Sequence, residues 1–99
     1  MNTGLLAQRR FTEADKELNI TYQRILKSLP PDESDEYPKR ALITAQREWI
    51  KYRDAQCALV GEVSGGVRMW KSSYSVACEA DITKARIREL VELFEDTSN

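Results

Sequence analysis

The chain contains no histidine. That removes the usual general base, the commonest metal ligand, and both the Ser-His and Cys-His nucleophile pairs. It has 2 cysteines, Cys57 and Cys78, which without histidine do not make a zinc site. No metal and no cofactor is expected. Glycine and proline are scarce, with 4 and 3 copies, which argues against a low-complexity or disordered segment. Three of the glycines fall in Gly61-Glu62-Val63-Ser64-Gly65-Gly66, a turn that lacks the Gly-Lys-Ser/Thr ending of a phosphate loop. No apolar run reaches the length of about 18 residues that a bilayer span needs. Met1-Asn2-Thr3-Gly4-Leu5-Leu6 carries neither a basic region nor a long apolar stretch of the secretory type. Charge of one sign is missing too: 15 basic residues against 16 acidic ones leave a net charge of −1. No overall field therefore favours nucleic acid or an anionic membrane.

What remains is a globular chain of 99 residues, 41% hydrophobic and 31% charged, enough for one domain and one core. The local charge is uneven. Asp32, Glu33, Asp35 and Glu36 form one acidic cluster, and Glu89, Glu92, Glu95 and Asp96 another. Both read as solvated surface, with docking of a basic partner as the sharper alternative. Their spacing singles out no glycosidase-like carboxylate pair, so an enzyme is not expected.

The hydrophobic period is helical throughout. Phe11, Ala14, Leu18, Tyr22, Ile25, Leu26 and Leu29 recur at spacings of three and four, predicting a helix over about 4–29. Pro30-Pro31 ends it. The acidic, proline-bounded stretch to Pro38 reads as a surface loop. Pro38 suits the first turn of a second helix, about 38–60, carrying Leu42, Ala45, Trp49, Tyr52, Gln56 and Val60, with Gly61 as its stop. A third helix, about 67–95, shows an apolar face that moves. Trp70, Tyr74, Ala77 and Cys78 lie on one side, whereas Ile82, Ile87, Leu90, Leu93 and Phe94 point elsewhere. Either a kink or break falls near 79–81, or the helix buries different faces along its length. No strand alternation is present. The expected fold is all-α: a single domain formed by a small antiparallel three-helix bundle.

One residue does not fit an apolar stripe. In Trp49-Ile50-Lys51-Tyr52-Arg53-Asp54-Ala55-Gln56-Cys57, Arg53 lies between Trp49 and Val60, and Gln46 shares that stripe. Asp15 does the same among Phe11, Leu18 and Tyr22. If Leu29 stands near Leu42 in an antiparallel pair, Asp15 falls within one turn of Arg53. A buried charge needs a partner, so an Asp15–Arg53 ion pair between the helices is expected, in a structural role that sets register. Arg86 is similar, on the stripe of Ile82 and Leu90. Trp49 and Trp70 read as core or core-edge aromatics. The cysteines are open to two readings, as inert buried thiols or as a disulfide worth about 3 kcal/mol for a loop of roughly 20 residues.

These residues also form a pattern. Ala14-Asp15, Leu18-Asn19 and Tyr22 resemble AD-x-x-LN-x-x-Y. Gln46, Trp49, Tyr52-Arg53-Asp54 and Cys57 resemble Q-x-x-W-x-x-YRD-x-x-C. Cys78, Thr83, Arg86 and Leu90 resemble a third block. Together they resemble the LprI-type family of small bacterial envelope proteins, named after a lipoprotein that inhibits lysozyme. The resemblance implies a Cys57–Cys78 disulfide and a secreted or periplasmic location, with the signal segment absent from this chain. The further upstream cysteines of many relatives have no counterpart here.

Function divides into two expectations. The resemblance implies a protein partner, a lysozyme-like peptidoglycan hydrolase that is inhibited; a loop inserted into its active-site cleft would do this, and the plainer reading of residues 61–68 is a flexible connection. Ser64, Gly65, Gly66 and Arg68 would form that loop, supplying a hydroxyl, exposed amides and a cation. The Asp32–Glu36 cluster would aid docking to a basic enzyme. The alternative is a non-inhibitory envelope interaction module using a Trp70–Tyr74 patch, or an immunity-type protein of unknown target. Oligomeric state is not legible.

Overall fold

A computed structural model describes residues 3–64 and 68–94, with side chains for 5–64 and 73–94. Three helices follow one another: α1 (Thr3–Ser28), α2 (Pro38–Ser64) and α3 (Arg68–Phe94). No strand occurs among the described residues. The disulfide Cys57–Cys78 joins α2 to α3 across a Cα–Cα distance of 5.4 Å.

The helix ends follow from local chemistry. Past α1, Leu29 still donates its amide to the Ile25 carbonyl before Pro30. The Leu26 carbonyl, one of the orphans at this end, accepts a 2.6 Å bond from Lys39 Nζ on α2. Pro38 opens α2, where a missing amide hydrogen costs nothing. The Asp32 carboxylate accepts from the Lys39 amide at 3.0 Å and neutralises the positive end of that helix. Asp32 therefore serves the fold, while its acidic neighbours 33–36 are exposed.

Helix α3 is the shared partner of the bundle, packing closely on both α1 and α2, which have far less close contact with each other. Its placement explains the moving apolar face. Helix α3 is continuous from Arg68 to Phe94, so the break considered near 79–81 is absent. Buried Ala80, Thr83 and Leu90, with half-buried Ile87 and Phe94, make one straight stripe at spacings of three and four. The stripe passes through an alanine and a threonine, which a count of large apolar residues overlooks. A second flank carries Cys78 and Arg86 to their α2 partners, Cys57 and Gln46. Two faces of one helix are used because it has two neighbours.

The expected stop at Gly61 is also corrected. Gly61 is buried inside α2, which runs on to Ser64. Burial offsets the helix cost of glycine, about 1 kcal/mol against alanine, by letting another backbone come close.

The large apolar side chains gather at one end. Leu18, Ile25, Leu42 and Leu90 form the buried cluster, with Tyr22, Leu26, Leu29, Trp49, Ile87 and Phe94 against it. Toward the other end the buried residues are small: Ala7, Ala14, Cys57, Gly61 and Ala80. The disulfide thus lies where apolar burial is thinnest.

Candidate functional site

Between these two halves stands Arg53, and all three helices converge on it. Its guanidinium lies 5.1 Å from the Phe11 ring centroid on α1 and 5.2 Å from that of Trp49 on α2. Trp49 in turn faces Arg86 of α3 at 5.8 Å. A planar, weakly hydrated cation can stack in this way, which is why an arginine fits an apolar stripe. The edge of the guanidinium is polar. Arg53 Nε donates to Asp54 Oδ1 at 2.9 Å, and Nη1 stands 3.5 Å from Asp15 Oδ1. The Arg53 side chain is 10% exposed, but those of Asp15 and Asp54 are 58% and 56% exposed. The expected pair therefore has one buried member and one solvated one, and the carboxylates remain partly screened by water.

Sequence reasoning missed the third carboxylate, Glu79 of α3. Burial pushes its carboxyl above the ordinary value of 4.5, Arg53 pulls it down, and Asp54 and Asp15 push it up. Its position beside Cys78, whose partner Cys57 is one turn from Arg53, was the signal available. A raised folded-state value means that the folded protein holds the proton more tightly than the unfolded chain. Glu79 therefore favours folding most at pH below about 4.5, and that contribution is lost as pH rises through the raised value. Glu79→Gln is expected to be at least as stable as the parent at neutral pH, with the difference vanishing on acidification. Urea titrations of both proteins across that range measure it; a variant clearly weaker at neutral pH would contradict the sign.

Gln46 and Arg86 make the matching contact between α2 and α3. Arg86 Nε donates to Gln46 Oε1 at 3.1 Å, and Nη1 approaches Glu89 Oε1 at 3.3 Å. Thr83 is fully buried, and its hydroxyl is the buried side-chain oxygen or nitrogen without a hydrogen-bond partner among the described residues. Tyr52 points away from this core, 56% exposed.

Because α1 and α2 both pack on α3, a groove of about 700 Å³ remains between them. Asp15, Lys16, Leu18, Asn19 and Tyr22 line it from α1, and Ile43, Gln46, Arg47, Ile50 and Arg53 from α2. It brings together Asp15, Asn19, Gln46 and Arg53, singled out separately in the sequence. The groove itself was not foreseen.

The loop expected to bind a target lies at the far end. Ser64 is the exposed last residue of α2, and Arg68 is the first of α3, its side chain outside those described. Gly65 and Gly66 lie outside the described residues, as does the Trp70 side chain, whereas Tyr74 is 46% exposed. The disulfide sits two helical turns below Ser64 on α2. Asp15 stands beside Arg53, so antiparallel register puts the start of α1 level with the end of α2. Leu5, Leu6, Leu59 and Val63, exposed by 57%, 45%, 53% and 73%, thus share this end. The Asp32–Glu36 cluster is at the opposite end. A helix of 27 residues is about 40 Å long, so loop and cluster do not meet one cleft together.

Among the described residues no group of histidine, cysteine or carboxylates could hold a metal ion. No described helix is long and apolar enough to cross a membrane.

The comparisons with known proteins agree with this architecture's sequence pattern. Residues 3–90 match the family model described as lysozyme inhibitor LprI. The chain is 34% identical over 107 aligned positions to an uncharacterised protein of Rhizobium meliloti (strain 1021), covering 100% of this chain and 76% of that relative. No solved structure matches it.

Proposed function

We propose that this chain, which belongs to the lysozyme inhibitor LprI family, is an envelope binding protein that blocks a lysozyme-like peptidoglycan hydrolase. It would be secreted or periplasmic and would act by contact, with no chemistry of its own. The observation that carries the reading is the end of the bundle around residues 59–68. Leu59 and Val63, one turn apart on α2, are exposed beside Ser64, and Leu5 and Leu6 are exposed at the same end. Apolar side chains left in water around a short connection favour a protein partner. The disulfide two turns below holds the connection's two supports together, lowering the ordering cost of binding. A hydrolase cleft with two carboxylates would receive Arg68 and the Ser64 hydroxyl. Docking would not use the Asp32–Glu36 cluster, which is at the other end.

The test is a lysozyme activity assay with titrated, oxidised protein, repeated with Ser64→Ala, Arg68→Ala and Val63→Asp. Inhibition by the parent and its loss in these exposed-site variants, with unfolding midpoints unchanged, is the expected result. Failure of folded, oxidised protein to inhibit every lysozyme class tried would end the inhibitor reading.

A further inference from the structure

The groove between α1 and α2 has its own chemistry, distinct from the end proposed to meet a hydrolase. We propose that it binds a short acidic peptide segment in extended conformation.

Gln46 is 7% exposed, and its Oε1 accepts from Arg86 Nε. A guanidinium can only donate, so this bond fixes the orientation of the amide: oxygen toward Arg86, nitrogen away from it. The Nε2 hydrogens have no partner among the described residues, and Gln46 lines the groove. Arg53 also lines the groove, with its Nε and Nη1 already facing Asp54 and Asp15. Two exposed cations complete the set, Lys16 on the α1 wall and Arg47 on the α2 wall. Neither makes an ion pair with a described residue. The one carboxylate in the lining, Asp15, already faces Arg53. With Arg53 held by Asp15 and Asp54, the lining still presents two exposed cations, Lys16 and Arg47, and the Gln46 amide donor, which suits an acceptor-rich anionic ligand.

Register gives the ligand's shape. With Asp15 level with Arg53, Lys16 and Arg47 are offset by about five residues, roughly 8 Å along the helix axes. Carboxylates two positions apart on an extended chain project to one side about 7 Å apart. Leu18, Ile43 and Ile50 add apolar surface to the groove. An extended segment with acidic residues at alternate positions matches both spacing and charge.

The probe is acetyl-Glu-Ala-Glu-amide, titrated into isotope-labelled, oxidised protein and followed by NMR. The neutral acetyl-Gln-Ala-Gln-amide and the uncharged amino-sugar trimer chitotriose serve as controls. Saturable shifts are expected at the Asn19 and Gln46 side-chain amides, with at least tenfold weaker binding of both controls. Lys16→Ala and Arg47→Ala should each weaken binding by about fivefold, the effect of roughly 1 kcal/mol per charge contact. Both positions are exposed, so unfolding midpoints should not move. Absence of saturable shifts, shifts mapping elsewhere, or equal binding of either control would overturn the proposal. Hydrolase inhibition can fail without altering this titration, because residues 59–68 are not among the reporters.

Discussion

Arg53→Ala is expected to lower the unfolding free energy by about 3 kcal/mol, near the lower end of the range for breaking a buried charge pair. The lower end applies because Asp15 and Asp54 keep more than half of their side-chain surface in water. What the substitution removes is chiefly the stacked plane between Phe11 and Trp49, together with the volume of a long buried side chain. In a domain of this size the loss corresponds to a fall of roughly 12–24 °C in the melting midpoint. Two companion variants separate the causes. Arg53→Met keeps most of the volume and should recover much of the loss, since an apolar isostere often replaces a buried ion without penalty. Arg53→Lys keeps the charge but not the planar stack, and should recover less. Arg53→Ala should also steepen the loss of stability with rising pH, because Arg53 holds the Glu79 carboxyl down and its removal lets that value climb further. Denaturant titrations of the three variants across the acidic range read all of this. A loss below 1 kcal/mol for Arg53→Ala would show that the junction is surface decoration and not a structural centre.

The junction also shows which parts of the fold are legible from residues alone. Helical period and proline position bring out three helices, because every apolar stripe is a local property. The level of Asp15 beside Arg53 follows from antiparallel register, a matter of counting along two helices. Glu79 needs the third helix placed in space; its place beside Cys78 is a hint only once the disulfide partner is known. Of the two readings of α3, a break near 79–81 or different buried faces, the second holds, and the reason the first was open is a different one. Ala80 and Thr83 are buried, yet neither is large and one is polar, so a reading weighted toward large apolar residues leaves room for a break where the helix is continuous. Gly61 misleads similarly: glycine stops a helix in general, but a buried glycine permits close approach and the helix continues. The groove is the least legible feature. It exists because α1 and α2 pack mainly on α3 and far less on each other, a relation between elements that no single stripe encodes.

The uneven core leads to the second large effect, removal of the Cys57–Cys78 disulfide. Cys57→Ala/Cys78→Ala is expected to cost about 3 kcal/mol, the loop-closure value for a crosslink of this span. Alanine is the appropriate replacement, since serine would place a new hydroxyl at a site where Cys57 is 0% exposed. The loss should not be uniform. Leu18, Ile25, Leu42 and Leu90 hold the opposite end by burial. Near the crosslink the buried side chains are all small, so hydrogen exchange should accelerate most in residues 57–64 and least around 18–25. The same burial protects the bond. A thiolate must reach a sulfur to exchange; Cys57 is fully buried and Cys78 only partly exposed, so mild reductant should act on the folded protein mainly through opening of the structure. Reduction should then keep pace with unfolding as denaturant is raised. Rapid reduction of the native protein, or equal stability of the double variant and the parent, would contradict this account. If the variant remains folded but its exchange pattern is unchanged near 57–64, the apolar cluster alone would be sufficient to hold both ends. The brace proposed for the inhibitory loop would then lose its physical basis.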